Sequence, residues 1–356
     1  MKERVFMSHV HHIGIVSLSS GILGEQAVQH EVEIGLKRLK QFGMDVCFLP
    51  HALSGMDYIQ HHPEARAQDL ITALNCPNID LVLCAIGGDD TYLTLPYLFE
   101  NQEQIDLEQW KRKIFLGFSD TTVNHFALHC LGLKRTFYGQ SFLSDICELS
   151  PNMLSYSAHY FDELISTGRI QKFQPSLTWF KNRISYTQDD IGSNLIAHPN
   201  EGFQLLKGKK YLEGKILGGC VDTIGDLLFP TSEKAKRIML DYPIFPAIED
   251  WKDKILLLET SENCINPHYY RKILWQLRNQ GVLQVVQGII IGQPFDRKYE
   301  KEYQEALLEV TCDLPMTIIA NINVGHSLPR GIVPFNVPAV IDLDEQCITF
   351  DWSSVA

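Results

Sequence analysis

The sequence of 356 residues lacks several patterns that would assign it to a class at once. Its nine cysteines include no C-x-x-C pair, and their odd number and scattered positions are typical of free thiols in a reducing compartment. No apolar run approaches the roughly 18 residues of a membrane-spanning helix, and the N-terminal segment lacks the apolar stretch of a signal peptide. These absences predict a soluble, cytoplasmic protein with no membrane partner.

Clusters of Lys and Arg are also absent, and the formal net charge is −12. Nucleic-acid-binding surfaces are basic, so this charge balance argues against a nucleic-acid partner. The chain has neither a G-x-x-x-x-G-K-[ST] phosphate loop nor a G-x-G-x-x-G fingerprint. No Cys, Asp or Glu pattern completes a zinc site with His9, His11 and His12. We therefore expect neither a metal nor a cofactor.

What is present is an ordinary globular composition, 45% hydrophobic, in which apolar runs alternate with helical periods. This alternation predicts an α/β fold whose N-terminal domain is a parallel sheet with helices on both faces. We predict that this domain covers residues 1–165. A polar, irregular linker or inserted segment follows over 166–210, and a C-terminal mixed α/β domain covers 211–356.

The loop after the apolar run 81–86 is the first candidate site. The run ends at Gly87 and Gly88, and Thr91 follows before a second apolar stretch. This pattern predicts a buried strand, a tight turn and the start of a helix. A hydroxyl there would lie beside helix N-terminal amides, as in a nucleophile elbow with its oxyanion hole, although no G-x-S-x-G pattern is present. An ordinary strand–loop–helix junction explains the same residues.

A second loop, 119–122, also follows a predicted strand. Ligands of such sheets bind beyond the carboxyl ends of the strands, so loops 87–91 and 119–122 are predicted to form one site. Glu259 and His326 each follow an apolar strand further along the chain. Along the chain, the candidate nucleophile, carboxylate and base follow in the order Thr91, Glu259, His326, which is the order of the triad in α/β-hydrolases. An exposed strand-end Glu and a His that caps a turn remain alternatives.

Several motifs together resemble the LD-carboxypeptidase family, which includes the microcin C self-immunity proteins. They run in family order from about residue 12 to 343 and include AIGGDDTYLTLPYL, KIFLGFSDTT, TFYGQ, ILGGCVDTIGDLL, ILLLETSE and NVGHSLPRG. The resemblance implies a metal-independent, serine-type amide hydrolase with a Ser–His–Glu triad. Its active site would lie in the cleft between an N-terminal domain that carries the nucleophile and a C-terminal domain that carries Glu and His.

Mapped by motif, the resemblance places the nucleophile at Thr91, the orienting carboxylate at Glu259 and the base at His326. The oxyanion hole would use the backbone amides of Gly88 and Tyr92. The family pattern has Ser where this chain has Thr91, and the extra methyl group restricts χ1 and crowds the tetrahedral intermediate. The loss of activity could be modest or complete.

Other residues receive secondary roles from the same resemblance. Ser119 is interpreted as structural, because the family has a serine in the GFSDTT motif beside its separate nucleophile. Gly87, Asp90 and Asp120 are predicted to line the substrate site. Trp179, in the middle segment, is a candidate for stacking on a nucleotide base, and the alternative is a Trp that covers a contact between a loop and a domain.

The GGDD sequence and the long middle segment favour the immunity-type branch. Its members cleave the amide that joins an acidic amino acid to a nucleotide-like group, through an acyl-enzyme. Two alternatives stay open: removal of D-alanine from murein tetrapeptides in cell-wall recycling, and non-catalytic ligand binding because Thr91 replaces serine. The expected partners are a small peptide or peptidyl-nucleotide substrate and, since family members are commonly dimers, a second copy of the chain.

Overall fold

The computed structural model describes residues 9–133 and 135–353, so the outer limits predicted for the two domains, residues 1 and 356, lie outside the described residues. Two large β-sheets, each with helices packed against it, form the molecule. This two-domain α/β architecture confirms the fold class expected from the alternation of apolar runs and helical periods.

The first sheet is built from the N-terminal part of the chain. Its strands are β1 (His12–Val16), β2 (Asp45–Phe48), β3 (Leu81–Cys84), β4 (Ile114–Gly117) and β5 (Phe137–Tyr138). They are parallel, in the order β2-β1-β3-β4-β5. Every residue of β3 and β4 is buried, as expected for parallel strands covered on both faces.

Seven helices accompany this part of the chain. They are α1 (Gln29–Gln41), α2 (Gly55–His61), α3 (Pro63–Asn75), α4 (Leu95–Glu100), α5 (Leu107–Trp110), α6 (Thr122–Cys130) and α7 (Ser155–Thr167). Helix α3 begins at a proline, which suits the first helical turn because the missing N–H has no partner there. Its buried face carries mainly Ala, Leu and Ile, which fixes the helix against the sheet.

The second sheet is mixed. The remaining strands of the molecule are β6 (Lys172–Phe173), β7 (Thr178–Phe180), β8 (Ala197–Pro199), β9 (Gln204–Lys207), β10 (Tyr211–Cys220), β11 (Lys254–Glu259), β12 (Gly288–Gly292), β13 (Thr317–Ile322), β14 (Val333–Pro334), β15 (Pro338–Asp342) and β16 (Cys347–Phe350). Eight of them form the order β6-β16-β15-β10-β11-β12-β13-β9, in which β10 to β13 are parallel neighbours.

Five further helices follow β10 along the chain. They are α8 (Val221–Leu228), α9 (Glu233–Asp241), α10 (Pro267–Asn279), α11 (Val282–Val285) and α12 (Glu300–Val310). None of the helices in the described residues is long and apolar enough to cross a membrane. No disulfide joins any of the cysteines, all of which lie within the described ranges.

The predicted linker, 166–210, is more structured than its polar sequence indicates. Strands β6 and β9 are the two edges of the second sheet, while β7 and β8 pair with each other as a hairpin. Conversely, β14 joins the first sheet antiparallel to β5. The two halves are therefore interleaved, which brings the carboxyl ends of β4, β11 and β13 together.

Candidate active site

Ser119 occupies a strained turn at the carboxyl end of β4. The chain leaves the strand at Gly117, and Ser119 has φ of 65° in the 3₁₀ turn Ser119–Thr121 that leads into α6. Positive φ is uncommon for a residue with a side chain and persists where the surroundings enforce it. A hydroxyl on a strained strand-to-helix turn is the arrangement of a nucleophile elbow.

Two hydrogen bonds join Ser119 to His326 and His326 to Glu259. The Ser119 Oγ lies 2.9 Å from His326 Nε2, and His326 Nδ1 lies 2.7 Å from Glu259 Oε2. Glu259 is the last residue of β11, and His326 lies in the loop after β13. Glu259 is buried, whereas Ser119 is half-buried and open to a substrate. The three side chains form a hydroxyl–imidazole–carboxylate series.

Electrostatics favour an ionised Glu259 and a basic His326. Burial opposes charge on both groups, but their mutual attraction and hydrogen bond outweigh it. The pKa of Glu259 is therefore lowered from its ordinary value, with a further contribution from the Tyr138 hydroxyl, and the pKa of His326 is raised. A carboxylate that holds Nδ1–H leaves Nε2 free to accept the Ser119 proton.

Tyr138 connects the nucleophile turn to Glu259 across the two sheets. Its hydroxyl donates to Glu259 Oε1 at 2.6 Å and accepts from the Ser119 amide at 3.2 Å. Burial and the nearby Glu259 carboxylate hold the pKa of this phenol well above its ordinary value, so it remains a proton donor. The Tyr138 hydroxyl thus fixes the distance between the two ends of the series.

The loop that carries His326 is anchored on both sides. At Gly325, φ is 90°, and an added Cβ would overlap the Glu259 carboxylate, so the close approach requires glycine. Ser327 donates to the buried Gln293 at 3.1 Å. Arg330 lies 3.5 Å from the His326 carbonyl and packs its guanidinium over the Phe118 ring. These contacts hold the imidazole against Ser119.

The structure does not bring Thr91, the residue expected to be the nucleophile, into contact with His326. Thr91 is fully buried, and its hydroxyl donates to the Leu18 carbonyl at 3.3 Å, away from the imidazole. The hydroxyl that His326 contacts belongs to Ser119, which the sequence argument treated as structural. The physical reason is that Thr91 begins the 3₁₀ turn Thr91–Thr94 and points into the core, so the loop after β3 supplies a wall of the site.

Contacts join the loops after β3 and β4, which the sequence predicted to form one site. The Thr91 amide donates to the Asp120 carboxylate at 2.9 Å, and the Ser19 hydroxyl donates to the same oxygen at 2.6 Å. An added Cβ on Gly87 would lie 2.8 Å from the Ser119 hydroxyl. Burial raises the pKa of Asp120, whose hydrogen bonds oppose that shift. Asp120 therefore braces the loop, and Gly87 allows its close approach to Ser119.

Asp90 was expected to line the substrate site, and the structure gives it a structural contact. Its carboxylate pairs at 2.6 Å with Arg66, a fully buried guanidinium on α3 that also faces the carbonyls of Leu18 and Ser19. Tyr92, assigned to the oxyanion hole because it follows Thr91, is half-buried in the same 3₁₀ turn as Thr91. Its assignment depended on that of Thr91.

Trp179 lies on the β7–β8 hairpin, half-buried. Its ring stacks on His198 with centroids 4.4 Å apart, and the Arg297 guanidinium lies 5.4 Å from the ring centroid. The Phe180 amide donates to the Leu328 carbonyl, which ties the hairpin to the loop of His326. Trp179 is thus held near the site by partners of its own.

Three groups near the series were missed from the sequence: Tyr138, Glu262 and Cys220. Glu262 Oε2 lies 3.2 Å from His326 Nε2. Cys220 offers a sulfur that lies, with ligand atoms of Glu259 and His326, in a group spanning 4.8 Å, close enough for a metal ion. For Ser119 itself a signal existed, because G-F-S-D-T matches the first three positions of G-x-S-x-G after a buried strand.

Comparison with known proteins decides the family. Residues 13–139 match the model of the LD-carboxypeptidase N-terminal domain, and residues 213–341 match that of the C-terminal domain. The chain belongs to the LD-carboxypeptidase family.

Curated relatives in this family are carboxypeptidases and an immunity protein. The putative carboxypeptidase YocD of Bacillus subtilis is 27% identical over 86% of each chain. The microcin C7 self-immunity protein MccF of Escherichia coli is 24% identical over 80% of this chain and 77% of MccF. The relatives thus carry names of two kinds, carboxypeptidase and self-immunity protein.

Solved structures agree over nearly the whole chain. An MccF-like protein from Streptococcus pneumoniae, in complex with AMP, superposes with a TM-score of 0.93 at 50% identity, covering 97% of this chain and all of that one. An MccF-like protein from Bacillus anthracis has a TM-score of 0.77 at 25% identity, over 96% of each chain. MccF bound to aspartyl sulfamoyl adenosine shares the fold at a TM-score of 0.77 and 20% identity, over 97% of each chain.

Proposed function

We propose that this chain is a serine-type amide hydrolase in which Ser119 is the nucleophile, His326 the general base and Glu259 the residue that orients it. The observation that carries the proposal is the pair of short contacts, Ser119 Oγ to His326 Nε2 at 2.9 Å and His326 Nδ1 to Glu259 at 2.7 Å. A nucleophile within hydrogen-bond reach of a base, itself oriented by a third group, is the arrangement that acyl transfer requires.

The reaction follows from these contacts in two halves. His326 Nε2 accepts the Ser119 proton while Oγ attacks the amide carbonyl carbon, and the same proton then passes to the departing nitrogen as the C–N bond breaks. The acyl group remains on Ser119 as an ester. His326 next accepts a proton from water, whose oxygen attacks the ester, and returns it to Ser119 Oγ as the acid leaves.

The backbone amides of Asp120 and Gly88 are the proposed oxyanion hole. Asp120 follows the nucleophile, and Gly88 lies in the neighbouring loop after β3, the two positions that supply these donors in hydrolases with an elbow-type serine. Support comes from the contact of Gly87 with Ser119, which places that loop beside the reacting hydroxyl. Gly88 keeps its place in the proposal, and Asp120 replaces Tyr92.

For the substrate, we propose an aminoacyl-nucleotide amide with an acidic aminoacyl group. The solved relative at 50% identity was crystallised with AMP, and MccF complexes hold aspartyl sulfamoyl adenosine and glutamyl sulfamoyl guanosine. Trp179 remains the candidate for stacking on the base, because the bond from the Phe180 amide to the Leu328 carbonyl ties its hairpin to the loop of His326. Gly87, beside Ser119, would bound the acyl site.

Murein tetrapeptide hydrolysis is the second candidate. A probable murein peptide carboxypeptidase of Bacillus subtilis is 22% identical over 89% of this chain. The third hypothesis, a non-catalytic ligand-binding protein, rested on threonine at the nucleophile position, and a serine in contact with His326 removes that premise.

Turnover of matched substrates tests the proposal. We expect the purified chain to hydrolyse aspartyl sulfamoyl adenosine faster than a murein tetrapeptide, as followed by chromatography of the released products. Ser119→Ala should abolish the activity, and Thr91→Val, which removes a hydroxyl without contact to His326, should retain most of it if the variant stays folded. Faster turnover of the tetrapeptide would select the second candidate function. If the native chain hydrolyses neither substrate, the proposal that it is a hydrolase is rejected.

We also propose that the chain is a cytoplasmic homodimer. Large apolar side chains are exposed within the segment 177–196, where Leu177, Ile184 and Ile196 are 87%, 99% and 63% exposed. Exposed apolar surface of this kind marks an interaction site. Light scattering after size-exclusion chromatography should give twice the chain mass of 40.6 kDa, and cell fractionation should recover the protein with the cytoplasm.

A further inference from the structure

A second carboxylate, beside that of Glu259, faces the catalytic imidazole. Glu262 Oε2 lies 3.2 Å from His326 Nε2, the same nitrogen that the Ser119 hydroxyl approaches at 2.9 Å. The distance from Glu262 Oε2 to Ser119 Oγ therefore cannot exceed the sum of these two distances. Its side chain is 59% exposed, so it lies at the mouth of the site, where a substrate enters.

The backbone around Glu262 is fixed although its side chain is open. The preceding residue, Ser261, donates through both its hydroxyl and its amide to the Asp222 carboxylate, at 2.5 and 3.1 Å. The following residue, Asn263, donates its amide to the Ser261 hydroxyl at 3.1 Å. This turn presents the Glu262 carboxylate in a defined place while leaving its rotamer free to move from the imidazole to a ligand.

Orientation of the imidazole does not require Glu262, because Glu259 already holds Nδ1. A carboxylate beside Nε2 has a cost, since it attracts the proton that His326 must pass to the leaving group. Such a placement is useful when a cation on the substrate neutralises the carboxylate during the reaction. In an aminoacyl group, the α-nitrogen is two bonds, about 2.5 Å, from the attacked carbon.

Distance and charge agree with an ammonium ligand. When Ser119 Oγ bonds to the carbonyl carbon, the α-nitrogen comes within a few ångströms of that oxygen, which leaves room for one N–H···O contact to Glu262. Two further carboxylates lie nearby: Asp222 is bonded to Ser261, and burial and neighbouring carboxylates, Asp222 among them, raise the pKa of Asp226 to about 6. This acidic surrounding favours a positive group over a neutral, acylated one.

We propose that Glu262 binds the free α-ammonium group of the aminoacyl substrate and so makes the enzyme selective for substrates with an unblocked amino terminus. The proposal rests on the hydrolase function proposed above. Glu262 is here a specificity-determining residue, and the ligand class is a primary ammonium adjacent to the scissile carbonyl.

A ratio of two substrates tests this role. The probes are aspartyl sulfamoyl adenosine and its N-acetyl derivative, measured with the native chain, Glu262→Gln and the control Glu302→Gln, an exposed glutamate on α12. We expect Glu262→Gln to lower kcat/KM for the free amine by about 10- to 100-fold, and to leave kcat/KM for the N-acetyl compound unchanged or higher, because that compound has no ammonium group to offset the carboxylate beside Nε2. The control should leave both values unchanged.

An equal fall for both compounds would overturn the proposal, because it would mean that Glu262 acts through His326. No fall for either compound would also overturn it. Binding to Ser119→Ala, measured by calorimetry with and without Glu262→Gln, separates this proposal from the function. If the native chain hydrolyses neither compound, the proposed function fails. The ratio of the affinities for the free amine and the N-acetyl compound, with and without Glu262→Gln, then still decides the role of Glu262. If neither compound binds, the proposed function and the proposed role of Glu262 are both overturned.

Discussion

At the scale of single residues, the site depends on backbone features that sequence patterns only partly reveal. Glu259 and His326 were located from their positions after apolar strands, and the structure brings them into contact at 2.7 Å. Two loops with hydroxyl residues follow neighbouring strands, and the sequence assigned the nucleophile to Thr91 in the first, whereas the structure places Ser119 of the second against His326. What distinguishes them is conformation: Ser119 has φ of 65° and is half-buried, whereas Thr91 is fully buried.

The pH dependence of turnover follows from the state of His326. The neutral imidazole is the active base, and its pKa is raised above the ordinary value because the attraction of Glu259 outweighs the effect of burial. Activity should therefore be present above this pKa and fall as pH decreases through it, so the acid limb of kcat/KM should have its midpoint above about 6.5. A limb near pH 4 would contradict the assignment of His326 as the base.

Tyr138 should act as a positioning residue. In Tyr138→Phe, Glu259 Oε1 loses its phenol donor and the Ser119 amide loses its acceptor, so the two ends of the series are no longer tied. We expect kcat to fall about tenfold with KM nearly unchanged, because the loss affects alignment and not substrate contacts. The matched control is Tyr270→Phe, a buried tyrosine on α10. A change in KM alone would contradict this role.

At the scale of elements, the sequence predicted that the loops after β3 and β4 lie side by side. It did not predict the strands of the middle segment. Neighbouring parallel strands have their carboxyl ends at the same edge of the sheet, and the close approach of Gly87 to Ser119 agrees with this. Segment 166–210 contains strands of only two to four residues, too short for a period to be recognised. Strands β6 and β9 pair with the distant strands β16 and β13, while β7 and β8 pair with each other.

Gly87→Ala tests the contact between these two loops. The new methyl group would lie 2.8 Å from both Cβ and Oγ of Ser119, closer than van der Waals contact allows, and the serine must move. Because the nucleophile acts only within narrow limits of position, we expect kcat/KM to fall by about 100-fold. Circular dichroism and thermal melting should show a folded protein. Full activity in a folded variant would contradict the placement of this loop.

At the scale of the whole molecule, the candidate site exists only where the two sheets meet. Ser119 and Tyr138 come from the first sheet, and Glu259 and the loop of His326 come from the second. The sequence predicted two α/β domains with a cleft between them, and the fold agrees. It did not predict that β14 returns to the first sheet beside β5, because two-residue strands carry no pattern of their own.

The assignment of Ser119 as the nucleophile is tested most directly by locating a covalent adduct formed with a serine-directed fluorophosphonate, by intact-protein and peptide mass spectrometry. The native chain should gain one adduct, on the peptide that contains Ser119. Ser119→Ala should gain none, and Thr91→Val should be labelled like the native chain. An adduct on Thr91, or one that persists in Ser119→Ala, would contradict Ser119 as the nucleophile.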